Sequence, residues 1–537
     1  MFQSIFIKEW LKIKSFLLFS ILTSIIILGY FAFKLNFEFS TVEPESMMWY
    51  RFVQLEQKPY FDLIFYYLIF GCLFALFQFL PELIQKRVKV TIHLPLNLAQ
   101  IVFSHIFIGL VFIIFYYSFI SLSILAICAH YYPEEIVQII FKDTLAFSLI
   151  SIISYILVSA LILEQNKKVL FLKALVSVLF LFVFVKEQFF INDFFILFTV
   201  LIFSPFILLD SFYSVKQQRL KIFYKVGFFI ISFILLSSSF LNYKENYQKE
   251  FYKYYIFYSD ILEEFVYQKN FGEHRFEYGI KDDKTFLQKE YESYLPFVYW
   301  RDLDIQKKLP VTINEKVFTK DEIKDSKLGF DYNYKLLKKQ ETELYPLFNP
   351  QTNEGMIKFP EEFFGIFKDS AKIYDFDNDH LKEDSKELNK KLQEVDFSYP
   401  VKNIWGKTTN IKPFDLGYLI IDNKNRLFNL KKENNNIQIK EIEYPKNIDI
   451  VYINIAENKQ QNLSGYAIDK NSNFYLLTWD FEFIRLDLKE FDYKKMRLKF
   501  IADPVNYLIR YDDQKNYYAV IYSKDDYKKI KEINFKD

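Results

Sequence analysis

Between two long apolar runs stands the segment Pro81-Glu82-Leu83-Ile84-Gln85-Lys86-Arg87-Val88-Lys89-Val90-Thr91-Ile92-His93-Leu94-Pro95-Leu96, in which charged and apolar residues interleave. Glu82, Lys86, Arg87 and Lys89 keep it out of hydrocarbon, while Leu83, Ile84, Val88 and Ile92 recur about once per helical turn. That spacing predicts a short amphipathic helix with a basic face. Helices of this kind settle readily in a membrane interface. The chemistry available here is ion pairing and apolar contact, with no reacting group.

Elsewhere the residues of catalysis are missing from their working patterns. Gly406-Lys407-Thr408 is the nearest approach to a phosphate-binding loop, but Val401 stands where the first glycine belongs, so any nucleotide chemistry must come from another chain. The histidines, at 93, 105, 130, 274 and 380, show no zinc-ligand spacing. Asp375-Phe376-Asp377-Asn378-Asp379 superficially matches a calcium loop, without the glycine and the distal glutamate that such a loop requires. No Gly-x-Ser-x-Gly elbow is present. We therefore expect no catalytic, metal-binding or cofactor-binding residue, no cofactor, and no enzymatic activity in this chain. A net charge of +1 implies no pull toward nucleic acid.

The elements around the charged segment are membrane spans. Mean hydropathy is only +0.03 because two unlike halves are averaged. A bilayer core of about 30 Å needs about 20 apolar residues per helix. Seven segments meet or approach that length: 15–34, 61–80, 101–128, 144–163, 168–186, 189–210 and 224–241. Lys173, inside the fifth, is expected to reach back to the cytoplasmic edge by snorkelling. Asp62, His105, Asp193 and Asp210 fall near span ends and Gln78 alone lies deeper, so no proton relay or ion site is legible. The two cysteines, Cys72 and Cys128, sit in apolar runs, and the polar half must fold without a disulfide.

Orientation follows from the basic residues. Lys8, Lys12 and Lys14 precede the first span; Lys86, Arg87 and Lys89 follow the second, Lys167 and Lys168 the fourth, and Lys216, Arg219, Lys221 and Lys225 the sixth. The intervening loops carry Glu38, Glu43, Glu45 and Glu56, then Glu134 and Glu135, then Glu187 and Asp193. By this sorting the N-terminus is expected in the cytoplasm, and an odd span count puts residues 242–537 outside.

Glu82, Lys86–Lys89 and Leu94-Pro95, in the slot between the second and third spans, resemble the cytoplasmic coupling segment of type-two ABC exporter permeases. Lys86-Arg87 replaces the Gly-Thr usual there. The N-terminal Phe2–Lys14, with Ile5, Phe6, Trp10 and Ile13 on one face, is similar to the interfacial helix that opens those permeases. The resemblance implies that Glu82, Lys86, Arg87, Lys89, Leu94 and Pro95 dock a separate ATP-binding subunit. It also implies a homodimer or a pairing with a related permease, in contact with membrane lipid.

Past Leu241 the sequence turns polar. Asn242–Phe271 is expected as a helical stalk, residues 242–400 as a stalk and mixed α/β region, and 401–537 as a β-repeat domain. Gly417–Asp422 and Arg426–Leu430, Gly465–Asp469 and Phe474–Leu477, and Asn506–Arg510 and Tyr517–Val520 are strand–turn–strand units. Third runs follow at Ile437–Ile442 and Phe483–Leu488, and the unit starts lie 48 and 41 residues apart, near a propeller-blade period. Three units do not close a propeller, so earlier blades, an open array and an ordinary antiparallel sheet domain stay open. The runs Tyr294–Leu303, Leu309-Pro310, Tyr345–Phe348 and Lys412–Tyr418 resemble an uncharacterised bacterial family that joins permease-like spans to such an outer domain. The fold class expected is an α-helical multi-span membrane bundle plus a C-terminal extracytoplasmic β-rich domain. The function expected is the permease subunit of an ABC-type export or extrusion system. The alternative is a membrane-anchored extracytoplasmic sensor or envelope assembly factor, with the β-domain as its binding module.

Overall fold

The computed structural model describes residues 2–42, 51–55, 57–84, 97–215, 222–246, 251–338, 343–352, 355–375, 382–445 and 447–536. The chain divides into two compact units, Met1–Gln248 and Lys249–Asp537.

The first unit is built from long helices: α1 Phe2–Thr41, α2 Leu63–Ile84, α3 Leu98–Cys128, α4 Glu134–Leu163, α5 Lys167–Phe184, α6 Ile191–Val215 and α7 Ile222–Asn246. One falls on each expected span. Six are long and apolar enough to cross a membrane. The remaining helix, α5, has 18 residues and begins with Lys167 and Lys168. At 1.5 Å per residue it is about 27 Å long, just short of a bilayer core. The interfacial helix expected over Phe2–Lys14 is not separate. It is the first third of α1, which runs unbroken for 40 residues because it contains neither glycine nor proline before Gly29.

Helix α4 is the most buried of these, packed on α2, α3, α5 and α6. Close approach to α2 needs a residue with no side chain: a Cβ added at Gly71 would overlap Ser151 of α4. On α1, by contrast, Leu18, Phe19, Leu22, Ile25, Ile26 and Phe33 stay exposed, the surface a hydrocarbon solvent would cover.

The second unit is a stack of antiparallel sheets. Sheet 1 pairs Tyr254–Ser259, Glu264–Asn270, Phe276–Ile280 and Thr285–Phe286; sheet 2 pairs Tyr345–Pro346, Glu362–Ile366 and Ala371–Asp375. Sheet 3 pairs Asn403–Gly406, Tyr418–Ile421, Leu427–Glu433 and Asn436–Ile442; sheet 4 pairs Ile450–Ile455, Leu463–Asp469, Phe474–Thr478 and Phe483–Leu486. Sheet 5 pairs Arg497–Ala502, Asn506–Asp512, Asn516–Ser523 and Lys529–Lys536, and Leu328–Asn333 adds to its Arg497–Ala502 edge. The expected strand–turn–strand units are the centres of sheets 3, 4 and 5.

Side chains alternate across a strand, so a sheet covered on both sides reads as a continuous apolar run. Tyr418 and Ile420 enter the core shared with sheet 2, while Leu419 and Ile421 enter the core shared with sheet 4. Tyr466 and Ile468 face sheet 5, and Ala467 faces sheet 3. Tyr507 and Ile509 face sheet 4, and Leu508 faces sheet 1. The stacking order is therefore 1-5-4-3-2. No core cluster among the described residues joins sheets 1 and 2, so the array is open and not a closed propeller.

The helical stalk expected over Asn242–Phe271 is corrected. Helix α7 stops at Asn246, and Tyr254–Ser259 and Glu264–Asn270 are strands. The run Tyr254-Tyr255-Ile256-Phe257-Tyr258 consists of β-branched and aromatic residues that favour a pleated surface over a helix.

Candidate functional site

On α1, Lys8 and Lys12 are one helical turn apart, a like-charge spacing that an exposed helix disfavours. The acid that reconciles them is Glu82, on the last turn of α2. Its Oε1 lies 2.8 Å from Lys8 Nζ and 2.9 Å from Lys12 Nζ. Lys12 Nζ also donates to the Gln78 carbonyl at 3.0 Å and lies 2.7 Å from Glu9 Oε1. On the other side of Glu9, His105 Nδ1 of α3 sits at 3.0 Å. Gln78 then bridges onward: its Nε2 donates to the His105 carbonyl at 3.1 Å, and Tyr155 Oη of α4 donates to its Oε1 at 2.7 Å.

Four helices thus meet at one polar node. Glu9, Glu82 and His105 are 0%, 3% and 2% exposed. Charges so enclosed are costly unless paired, so the node specifies how α1, α2 and α3 are seated. Of the sequence-predicted residues, Glu82 belongs to this node, while Lys86, Arg87, Lys89, Leu94 and Pro95 lie outside the described residues. Glu9, Lys8 and Lys12 were missed as site residues: the lysines served only to orient the spans, and Glu9 drew no reading. The available signals were Glu9 beside the Lys8–Lys12 pair and Gln78–Glu82 one turn apart.

Two further buried ionic groups stand in the bundle. Lys173 is not snorkelling to the edge as expected: it is buried, 2.7 Å from Glu164, 2.9 Å from Asp210 and 2.8 Å from Ser211 Oγ. Two carboxylates within reach replace the water it would otherwise seek. Asp143 of α4 takes Lys58 Nζ and Tyr60 Oη on Oδ2, each at 2.6 Å, while its buried Oδ1 has no hydrogen-bond partner.

In the second unit a cavity of about 330 Å³ opens between sheets 1 and 5. Phe257, Pro296, Phe297, Leu328, Ile501 and Leu508 line it, and Asp260, Asp503 and Lys327 supply its charge. Asn506 Nδ2 donates to Asp260 Oδ1 at 2.6 Å. Burial, reinforced by nearby Asp503, pushes the Asp260 carboxyl up to about 7. Burial raises Asp503 to about 6 and lowers the Lys327 ammonium to about 8. An apolar pocket with perturbed acids and a perturbed lysine is a ligand-site candidate.

Residues 255–520 match the family model described as a domain of unknown function, DUF4857. The match begins inside the first strand of sheet 1 and ends inside Asn516–Ser523, so it falls on the sheet stack and carries no assignment for the helices. No curated protein and no solved structure matches the chain.

Within the sheet stack the suspect motifs resolve into structure. Gly406 ends a strand and the next element is the strand Tyr418–Ile421, so Gly406-Lys407-Thr408 opens no helix and cradles no phosphate. Lys407 instead offers its carbonyl to Lys412 Nζ at 3.0 Å. Lys412 is fully enclosed, 2.6 Å from Asp415 and 3.2 Å from Glu457, with its ammonium 3.9 Å from the centre of the Phe348 ring. Burial outweighs Lys412 and holds the Glu457 carboxyl up at about 7. Asp375 ends a strand and pairs with Lys382 at 3.3 Å, and residues 376–379 lie outside the described residues. No group of metal-ligating side chains is found among the described residues.

Proposed function

We propose that this chain is the membrane-spanning subunit of an ABC-type export or extrusion system, powered by a separate ATP-binding subunit that docks on residues 82–95. The observation that carries the reading is the seat of Glu82. The first residue of the candidate docking segment is fastened to α1 by Lys8 and Lys12, and Gln78, one turn before it, reaches α3 and α4. A displacement applied to the segment reaches four helices through a node that cannot slacken without stranding buried charge.

The basic-residue sorting puts this node and residues 82–95 in the cytoplasm and the DUF4857 stack outside. On this reading the chain performs no catalytic step, hydrolysis belongs to the partner, and two permease chains frame the path. The outer domain binds or guides cargo. The test is affinity purification from the native membrane in mild detergent, followed by ATPase assay of the complex. An ATP-binding subunit should co-purify, and reversing Lys86, Arg87 and Lys89 to Glu should uncouple hydrolysis while leaving the spans folded. Recovery of the chain with an envelope protein and no ATPase would favour the sensor or assembly-factor reading, for which the Asp260 cavity is the supporting observation.

A further inference from the structure

A second cavity, of about 630 Å³, lies where the end of α4 and the ends of α5, α6 and α7 come together. Its apolar lining includes Val169, Leu172, Phe206, Phe228 and Phe229. Its charged lining is the enclosed Glu164 and Lys173 together with Asp210 and the exposed Lys168 and Lys225. Lys173 holds both carboxylates, at 2.7 Å and 2.9 Å, so the three groups come to a net single negative charge. Against that stand Lys168 and Lys225, both exposed and neither paired with a carboxylate among the described residues.

The placement of these two lysines is unusual. Each sits in the first turn of a helix, Lys168 on α5 and Lys225 on α7, and neither first turn contains an acidic residue. A helix N-terminus carries partial positive charge and disfavours cations. Two lysines and two helix starts therefore converge on one cavity whose carboxylates, Glu164 and Asp210, are both held by Lys173, which leaves the charged lining net positive by one. The wall below is open to the membrane: Leu172 is 50% and Phe229 67% exposed.

We propose that this cavity binds an anionic phospholipid, its phosphate between Lys168 and Lys225 and the upper part of an acyl chain against Phe206, Phe228 and Phe229. The lining joins exposed lysines to exposed apolar side chains, the two parts a phospholipid presents together, and a free phosphate would leave the apolar part unused. Neither the ABC reading nor the choice of leaflet enters this assignment.

The test uses the full-length protein in nanodiscs of equal parts dioleoyl phosphatidylglycerol and dioleoyl phosphatidylcholine, extracted and weighed with bound lipid by native mass spectrometry. The wild type should retain phosphatidylglycerol at least tenfold over phosphatidylcholine, and K168E/K225E should bring the two near parity. K168R/K225R should keep the preference. Both lysines are exposed, so the fold should survive, and circular dichroism checks it. Equal retention of both lipids by the wild type overturns the proposal, as does an undiminished preference in K168E/K225E. Displacement of phosphatidylglycerol by millimolar inorganic phosphate would overturn the lipid as occupant.

Discussion

Lys12 of α1 and Glu82 of α2 meet at 2.9 Å with 8% and 4% of their side chains exposed. The pair closes a contact between residues 70 positions apart in sequence. In so dry a setting the pair contributes less through its attraction than through the penalty for removing one member.

E82Q should therefore lower the unfolding free energy of the full-length protein in detergent by about 3–5 kcal/mol. K12M should do similarly, and the double variant should fall short of the sum by about 1 kcal/mol or more. A double-mutant cycle by denaturant titration measures this, and simple additivity would show the contact to be incidental.

Gly71 and Gly29 offer a matched comparison in packing. A Cβ at Gly71 overlaps Ser151, whereas at Gly29 nothing lies within 4 Å. G71A should cost about 1–3 kcal/mol through overpacking of α2 on α4. G29A should be neutral or slightly stabilising, because it removes glycine's entropy cost in a helix. Equal melting temperatures for the two variants would contradict the close approach.

The pH response of the sheet stack follows from Asp260, whose carboxyl is raised from 3.8 to about 7 by burial and by Asp503. Between those values the unfolded chain has lost its proton while the folded domain keeps it. Stability should consequently fall as pH rises through about 4 to 7, and level off on either side. Asp503, raised to about 6, acts in the same direction. D260N keeps an acceptor for Asn506 and removes the charge, so it should flatten the curve. It should match the wild type at pH 4 and exceed it at pH 8 in thermal unfolding.

The proposed topology turns on α5, since the odd count that would export the sheet stack needs it to cross. With Cys72 and Cys128 replaced by alanine, Q165C and E187C should be labelled from opposite sides of intact cells by a membrane-impermeant maleimide. Labelling of both from one side would make the spans even and bring the C-terminal unit to the side of the N-terminus.

The helical half was legible because 20 apolar residues in a row have few alternatives: six of the seven expected spans fall on helices long and apolar enough to cross a membrane. The strand pairs after residue 400 were legible for a similar reason: turns rich in Asn, Asp and Lys punctuate short runs that are mostly apolar. What escaped was long-range pairing. Nothing near Lys173 in sequence announces Asp210, and nothing near Tyr254 announces that its partners across the core are Tyr517 and Phe535. Glu9 escaped for a further reason. A lone acid among the lysines of an interfacial helix gives no sign of burial until two other helices are seen to close over it.

The order in which the sheets stack has a consequence for biogenesis. Ile256, Phe265 and Tyr267 are made early, yet the face that covers them comes from Leu508 to Phe535. At about 5–20 residues per second, the ribosome leaves that apolar surface waiting for tens of seconds. Sheets 3 and 4 can mature as they emerge, but the first sheet cannot, and it must be shielded by a chaperone or kept unfolded until Leu508–Phe535 has been made. The pace of elongation between the two, more than final stability, would then govern how much of this protein reaches its working form.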